Sequence, residues 1–468
     1  MPYRNIFLAA SLSLYSGLAL AQPPLAPSAN NDIVSVYQQA LSNNADLAAA
    51  RAQWQANLES VPQARSGLLP QASLNADWLD SESRSTTQAE GANRTSRSGM
   101  LYQANLSQPL FRADRWYQLK SAKAFSEQAT LEYSKAEQDL ILQSAEVYFA
   151  VLRAQDFLAT VKAEQNAFAR QLEQATERFD VGLSDKTDVL EAQASYDNAV
   201  ATRQLAEQHV ADAFDALETL TQRSYSALQG LRHNLPMLAP SPNNAEAWVN
   251  TVSTQNLALQ ASHFAVESAN QRLRENKAGH LPTVDAVAGY QYGDNDRLGL
   301  INSHSPFAPV YGKHAHQRSI SVQLTVPLYT GGYTQSKVRE AYHQLDGAEQ
   351  NRESLRRQVV KNTRDIFRSV NTDIAQVQAR SQAISSHQSA LEANEIGYEV
   401  GTRSIVDLLD AQRRLYAAVR DYNDARYNYI VDTLRLKHVA GTLNPDDLAS
   451  LSSFLKPDYN PDKDFIPN

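Results

Sequence analysis

Cysteine is missing from all 468 residues of the chain. Without it the protein has no disulfide and no thiolate metal site. It also lacks the lipid-acceptor cysteine that follows the signal of an acylated lipoprotein. These absences exclude the disulfide-bonded and lipid-anchored classes of exported protein.

Long apolar runs are also missing beyond the N-terminus. Residues 1–21 have the pattern of a secretory signal peptide, because Arg4 precedes a mostly apolar core and Ala19-Leu-Ala21 forms a cleavage site before Gln22. A membrane anchor is the alternative, but the run is shorter than the ~18 apolar residues that a spanning helix needs. An exported chain without a spanning helix is expected to be soluble or to form a closed β-barrel.

Basic charge is concentrated nowhere along the chain. The formal net charge is −8, and it becomes −9 when Arg4 leaves with the signal. This balance argues against a nucleic-acid partner. No Ser/His/Asp set, phosphate-binding loop or zinc-ligand spacing occurs, so we expect neither an enzyme nor a cofactor.

Proline and glycine are scarce in two long stretches. No proline lies between Pro109 and Pro236 or between Pro327 and Pro445, and both stretches are rich in helix-forming residues. We therefore predict two long helical hairpins, over about 112–235 with its tip at Gly182 and over about 330–440 with its tip at Gly401. A 3-4 spacing of apolar residues after the second tip, typical of a coiled coil, includes Val419 and Tyr422.

The two tips belong to an internal repeat. Residues 178–193 align with residues 397–412 at a constant offset of 219. The sequence therefore predicts a duplicated unit, with a first repeat over 22–239 and a second over 240–445. Residues 446–468 are predicted to be the end of an equatorial segment followed by a disordered tail.

The stretch before each helical hairpin alternates apolar and polar residues with the period of a β-strand. We predict one β-hairpin over about 70–110 and another over about 282–328, joined internally by polar loops at 81–98 and 294–317. A half-buried soluble sheet is the alternative, but the export signal favours transmembrane strands. Four strands leave open edges that lipid does not tolerate, so the chain is expected to oligomerise, and the polar inward faces favour three copies and twelve strands.

Several motifs resemble the TolC family of outer-membrane efflux and secretion ducts. They include residues 397–411, Ala425-Arg-Tyr-Asn-Tyr429 and Gly441-Thr-Leu-Asn444, together with Leu-Pro before and Pro-Leu-aromatic after each predicted β-hairpin. The resemblance implies an α+β membrane protein of the cell outer membrane: a homotrimer whose 12-stranded β-barrel continues as a coiled-coil α-helical tunnel through the periplasm. Short equatorial elements, at 223–245 and 440–455, would surround the tunnel.

The resemblance also implies function and partners. Such a duct passively exports substrates in multidrug efflux or type I protein secretion, and these two uses are not separated by the sequence. A periplasmic adaptor (membrane fusion) protein and an inner-membrane pump of the RND, ABC or MFS type would dock at the tips, and outer-membrane lipid would surround the barrel. The alternative is a coiled-coil structural protein of the envelope that conducts nothing.

Asp407 and Asp410 are the first candidate site. Their spacing places both on one helix face, and the pattern Ser404-x-x-Asp407 predicts a helix cap. By the resemblance, the pair also faces the lumen, where three copies would form a ring of six carboxylates that attracts cations and is a candidate site for a divalent cation. We leave open whether Glu191, the counterpart of Asp410, faces the lumen.

Differences between the repeat copies indicate a gate. Tyr398 replaces Phe179, and Arg403 replaces Ser184, at the 219-residue offset. By the resemblance, this Tyr and Arg bond to Thr187 and Asp188 at the other tip, within and between protomers. A further link is expected between Gln171 and Glu395.

Three histidines lie in or near the second external loop. His304, His314 and His316 are interpreted as part of a solvated polar loop rather than as a metal site.

Overall fold

The structure is a computed structural model that describes residues 31–87, 91–294, 298 and 314–466, with side chains left undescribed over 83–97. The signal peptide predicted over 1–21 and the loop residue His304 lie outside the described residues. Within the described ranges, none of the helices combines the length and the apolarity needed to cross a membrane.

The described elements alternate short helices, paired strands and long helices. Three short helices lead into the first β-hairpin, which is followed by the first pair of long helices, and the pattern then recurs. In chain order the elements are α1 (Ile33–Asn43), α2 (Ala45–Leu58), α3 (Ser60–Ser66), β1 (Gln71–Thr87), β2 (Gly91–Phe111), α4 (Ala113–Asp180), α5 (Lys186–Thr221), β3 (Gly230–Leu231), α6 (Ala245–Gln255), α7 (Leu257–Ala278), β4 (Thr283–Asp294), β5 (His314–Thr325), α8 (Tyr333–Glu399), α9 (Ile405–Ala440), α10 (Pro445–Ser452), β6 (Leu455–Lys456) and α11 (Pro461–Asp464).

Both predicted helical hairpins are present, and they are very long. At 1.5 Å per residue, the 68 residues of α4 span about 100 Å. The first hairpin ends at Thr221 rather than near residue 235, because Gln222 adopts a left-handed conformation with φ 55° that stops α5. In the second hairpin, Val419 and Tyr422 are 0% and 5% exposed, so the predicted apolar stripe of α9 is buried.

The four long strands form one antiparallel sheet in the order β1-β2-β4-β5. Strands β1 and β2 are 17 and 21 residues long, so most of the loop predicted over 81–98 is strand instead. The polar composition of this segment was misleading, because a strand with water on both faces is also polar. Its paired residues run without a break in register as far as Thr87 and Gly91.

Register separates the two faces of the sheet by polarity. On one face, Leu74, Ala104 and Tyr290 form a row that continues to β5. The apolar side chains of this face are strongly exposed, and Ile320 reaches 89%. The opposite face carries mainly polar residues, among them Asn75, Gln103, Asn105, Gln291, Ser319 and Gln323.

The segment after α10 is ordered as far as residue 466, so the disordered tail predicted within 446–468 is wrong for the described part. Strand β6 pairs with β3, and Phe465 is 7% exposed. Gly230 makes room for this tail, since a Cβ there would overlap the ring of Tyr459. The sequence signal for disorder was the proline content, but each proline here begins or precedes a short ordered turn.

The buried guanidinium of Arg426 on α9 fixes the same region. It donates hydrogen bonds to the carbonyls of Leu231 (3.3 Å) and Arg232 (2.8 Å) and to Asn423 Oδ1 (3.2 Å). Asn423 in turn donates to the carbonyl of Phe465 (2.9 Å). A residue that interrupts the apolar stripe of α9 therefore joins that helix to both equatorial strands.

Candidate functional site at the hairpin tips

The two tips have the same backbone geometry. Gly182 and Gly401 adopt left-handed conformations with φ 79° and 76°, which glycine reaches without the steric cost of a Cβ. The amide of Leu183 donates to Arg178 O (2.8 Å), and the amide of Thr402 donates to Gly397 O (2.8 Å). Each long helix thus ends in a Schellman motif, and each turn reverses the chain within five or six residues.

The helices that follow the turns are capped differently. In α9, Asp407 N donates to Ser404 Oγ (3.2 Å) and Ser404 N donates to Asp407 Oδ2 (3.1 Å), which confirms the predicted capping box. These bonds from Ser404 hold the pKa of Asp407 below its usual value. In α5, Asp185 caps the amide of Asp188, whose carboxylate instead accepts a 2.5 Å bond from Ser184 Oγ.

Tyr398 is the center of the packing between the tips. Its ring is 5% exposed in a cluster with Phe168, Ile405 and Leu408, so residues of both hairpins surround it. The guanidinium of Arg178 lies 4.9 Å from the ring centroid. Burial raises the pKa of Tyr398, and its buried hydroxyl has no hydrogen-bond partner in the described part of the single chain.

Within one chain, the predicted latch bonds from Tyr398 and Arg403 to the first tip are not formed. The Asp188 carboxylate is near enough to contribute to the raised pKa of Tyr398, but its hydrogen bond comes from Ser184. Arg403 folds back over Gly397, where a Cβ would overlap its side chain. The tips therefore present an orphan phenol and a guanidinium beside a carboxylate.

An arginine has exchanged places between the two copies. At the 219-residue offset, Arg178 corresponds to Gly397 and Ser184 corresponds to Arg403. The first copy has its arginine before the turn, and the second copy has it after the turn. Our sequence analysis used only the second of these differences and missed Arg178, although the same alignment contained it.

The second predicted link also has a free end. Gln171 is 9% exposed, and its Oε1 has no hydrogen-bond partner among the described residues. Glu395 is half-buried and is close enough to Tyr416 to help raise its pKa, after burial and Arg170. The chain does not join Gln171 to Glu395.

The acidic pair is not uniformly free. Asp407 is exposed, whereas Asp410 accepts a 2.7 Å bond from Arg413 Nη1. Sequence reasoning missed this partner, which the three-residue spacing on one helix face predicts. Glu191 is exposed on α5.

A ladder of polar contacts joins α4 to α9 above the tips. The rung nearest the tips is an ion pair between Glu164 and Arg420 at 2.7 Å, with side chains only 10% and 22% exposed. The other rungs are Arg153–Asp424, Arg153–Asn428, Asp156–Tyr427, Glu146–Arg435 and Asp139–His438. No sequence motif pointed to these pairs, because their partners are far apart in the chain.

The surface of the tips is unusually apolar. Side chains on both turns and on the adjoining helix ends are 43–70% exposed although they are aliphatic or aromatic. These residues are Phe179, Val181, Leu183, Leu190, Ile396, Val400 and Val406. Contiguous exposed apolar surface is typical of a protein-docking site.

The described histidines of the external loop do not form a metal site. His314 contacts the Asp294 carboxylate at 2.8 Å, and His316 stacks against Tyr290 with ring centroids 6.5 Å apart. Across 31–87, 91–294 and 314–466, no three His, Cys, Asp or Glu side chains are grouped to hold a metal ion.

Comparison with known proteins places this geometry in one family. A family model described as "Outer membrane efflux protein" matches residues 36–222 and 248–442, which contain both long hairpins. The outer membrane protein TolC of Vibrio cholerae serotype O1 is 38% identical over 96% of this chain and 98% of its own length. TolC of Escherichia coli K12 is 35% identical over 96% and 88%, and the alkaline protease secretion protein AprF of Pseudomonas aeruginosa is 25% identical over 88% and 85%.

Solved structures share the fold at lower identity. CusC superposes with a TM-score of 0.74 at 19% identity, covering 88% of this chain and 92% of the other. VceC of Vibrio cholerae superposes with a TM-score of 0.74 at 18% identity, covering 87% and 96%. The chain therefore belongs to the outer membrane efflux protein family, as a TolC-type channel protein of the outer membrane.

Proposed function

We propose that three copies of the chain form one continuous duct for passive export across the outer membrane. The observation that carries this proposal is the four-stranded sheet, which has an exposed apolar face, a polar opposite face and two unpaired edges at β1 and β5. In lipid, unpaired strand edges are costly, and joining β5 of one copy to β1 of the next removes every edge. Three copies give a 12-stranded barrel, wide enough for a water-filled channel.

The long hairpins continue this barrel as a periplasmic tunnel. The matched tip geometry at a 219-residue offset supports their origin by duplication, with repeats over 22–239 and 240–445. The apolar tip surface supports docking of a periplasmic adaptor protein and an inner-membrane pump of the RND, ABC or MFS type. Cargo is then chosen by these partners, for multidrug efflux or for type I protein secretion.

The tunnel is closed at its tips by a latch of hydrogen bonds and ion pairs between protomers. The orphan hydroxyl of Tyr398 supports this, since an unpaired buried polar group costs about 1–3 kcal/mol. Arg403 supplies a second donor, and Thr187 and Asp188 of a neighbouring copy supply acceptors. Charge-assisted bonds of this kind contribute about 1.5–3 kcal/mol each, and Gln171 and Glu395 form a further link in the same way.

The test converts the second tip into the first. Tyr398→Phe with Arg403→Ser installs the residues of the first copy, so it removes the donors while keeping side chains that this fold already uses. We expect higher single-channel conductance of the purified trimer in planar bilayers, because the closed state loses several bonds per copy.

A matched control separates the latch from general effects of the substitutions. Tyr342→Phe with Arg339→Ser changes an exposed tyrosine and an exposed arginine on α8, far from the tips. It should conduct like the wild type. Equal conductance of all three proteins would overturn the latch, and failure of the wild type to conduct at all would overturn the duct in favor of a structural envelope protein.

A further inference from the structure

One basic side chain interrupts the exposed apolar face of the sheet. Arg318 on β5 is paired in register with Tyr290 on β4, and its row across the sheet continues through Ala104 to Leu74. The next residue on the same face of β5 is Ile320, at 89% exposure. Arg318 thus stands at the outer end of an apolar column formed by Ile320, Val322 and Leu324.

Arg318 has no carboxylate partner anywhere in the part of the chain that the structure describes. Its guanidinium lies 5.8 Å from the centroid of Tyr290, so one side of it faces an aromatic ring. This cation–π contact orients the group but leaves its N–H donors without acceptors. A guanidinium beside lipid without an anion is costly, so arginines at such positions meet an anionic group.

The neighbouring side chains resemble a headgroup site rather than a random surface. His316 stacks on Tyr290, while His314 stacks on Tyr292 at 6.0 Å and contacts the Asp294 carboxylate. Aromatic rings that line the boundary between the apolar band and the solvent are typical of the membrane interface. The imidazoles add hydrogen-bond donors at the same level as Arg318.

An apolar groove lies directly beside the guanidinium. It has a volume of about 740 Å³, and Arg318 and Tyr290 form one end of its lining. The rest of the lining includes Leu74, Leu106, Ala288 and Ile320. A cation at one end of an apolar groove complements a molecule that has a phosphate at one end of an acyl chain.

We propose that Arg318, with His316 and Tyr290, binds the phosphate of an anionic phosphoglycolipid in the outer leaflet, whose acyl chain lies in this groove. The proposal rests on the membrane placement of the sheet given under Proposed function. Arginine suits this ligand because its planar donors contact two phosphate oxygens at once. In the trimer, the site occurs once per copy, close to the edge strand through which the copies join.

The test uses the full-length trimer in detergent, with purified lipid A as the probe. Bound lipid is counted by native mass spectrometry for lipid A that retains its phosphates and for lipid A from which they have been removed. We expect the wild type to retain the phosphorylated form, with affinity on the order of five- to tenfold above that of Arg318→Gln. The dephosphorylated form should bind both proteins equally.

Controls assign each other outcome. Arg339→Gln removes an exposed arginine on α8 and should leave binding unchanged. Inorganic phosphate at millimolar concentration should not compete, and full competition would make this a site for free phosphate and overturn the lipid. If Arg318→Gln binds the phosphorylated lipid as tightly as the wild type, the site is also wrong.

The main rival is a contact between copies. If Arg318 instead pairs with a carboxylate of the neighbouring protomer, Arg318→Gln should lower the heat resistance of the trimer in lipid-free detergent, which would overturn the proposal. We expect that heat resistance to be unchanged. Conductance separates the two proposals of this article, because a trimer that conducts normally and ignores lipid phosphate refutes only the lipid site.

Discussion

Two buried titratable residues at the equator oppose one another. Asp156 is 2% exposed and accepts hydrogen bonds from the hydroxyls of Tyr427 (2.7 Å) and Tyr459. Burial raises the pKa of Asp156 to about 6, above the value of about 3.9 in an unfolded chain. The native protein therefore holds this proton longer, and the free energy of unfolding falls as the pH rises from about 4 to 6.

His233 has the opposite sign. Its Nε2 donates to the carbonyl of Asp464 (2.7 Å), and burial followed by the nearby charge of Arg426 lowers the pKa of His233 to about 4. The unfolded chain takes up this proton already near pH 6.5. The contribution of neutral His233 to stability is therefore complete above about pH 6.5 and is lost as the pH falls toward 4.

These opposing terms predict that each single variant exposes the other residue. Asp156→Asn should give a thermal midpoint that rises between pH 4 and 6.5, whereas His233→Gln should give one that falls. The wild type should be flatter than either. Circular dichroism of the detergent-solubilised protein measures the midpoints, with the exposed Asp458→Asn as a control, and variant profiles parallel to the wild type would refute the assignment.

At the scale of elements, the two long hairpins are joined mainly through α4 and α9. Their ladder of polar contacts ends toward the tips at Glu164 and Arg420. Beyond this rung, the hairpins meet through the apolar cluster around Tyr398 and through the ring contact of Arg178. The Glu164–Arg420 pair is thus the last charged clamp before the part of the tunnel that has to open.

Breaking this rung should loosen the lower tunnel. Arg420→Met leaves the Glu164 carboxylate 10% exposed without its partner, which costs about 1–3 kcal/mol per copy. We expect a lower thermal midpoint and more frequent channel opening in bilayers. Arg435→Met breaks a rung whose side chains are 47% and 35% exposed, and such pairs contribute about 0–1 kcal/mol.

The exchanged pair checks that the effect belongs to the interaction. Arg420→Glu with Glu164→Arg should recover most of the wild-type midpoint. Equal losses in Arg420→Met and Arg435→Met would mean that the depth of the rung near the tips has no special role.

Local patterns in the sequence were sufficient for the elements but not for their contacts. Scarce proline and glycine predicted the long helices and placed both turns at Gly182 and Gly401, because helix interruption is a local property. The capping box at Ser404 was predicted for the same reason. The rung between Glu164 and Arg420 could not be predicted, since it depends on how two helices 256 positions apart along the chain are aligned.

The same distinction explains the wrong predictions. Polar segments were interpreted as loop over 81–98 and as disordered tail after residue 455. Both are ordered by partners that are remote in sequence or on another strand: the first by β1–β2 pairing and the second by β3 and Arg426. Composition does not reveal such partners.

At the scale of the whole molecule, threefold assembly multiplies the charge at the tunnel entrance. In the proposed trimer, Asp407 and Asp410 contribute six carboxylates around one axis. The contact at 2.7 Å between Arg413 and Asp410 offsets part of that charge. Exposed Asp407 is therefore expected to dominate the attraction of cations to the entrance.

Neutralising Asp407 should weaken both cation selectivity and block by a divalent cation. Asp407→Asn keeps an acceptor for the amide of Ser404, so the helix cap is retained while three charges leave the ring. We expect the reversal potential in a KCl gradient to move toward zero and the Mg²⁺ concentration for half-block to rise about tenfold. Glu349→Gln, an exposed acid on α8, should change neither quantity.

Arg413→Gln is expected to act in the opposite direction. Removing the guanidinium frees the Asp410 carboxylate, so the entrance becomes more negative and Mg²⁺ should block at lower concentration. A variant that strengthens block is hard to explain by damage to the fold, since damage would open or abolish the channel. Opposite shifts in Asp407→Asn and Arg413→Gln would place this acidic pair on the conduction path, whereas unchanged block in both would remove it from that path.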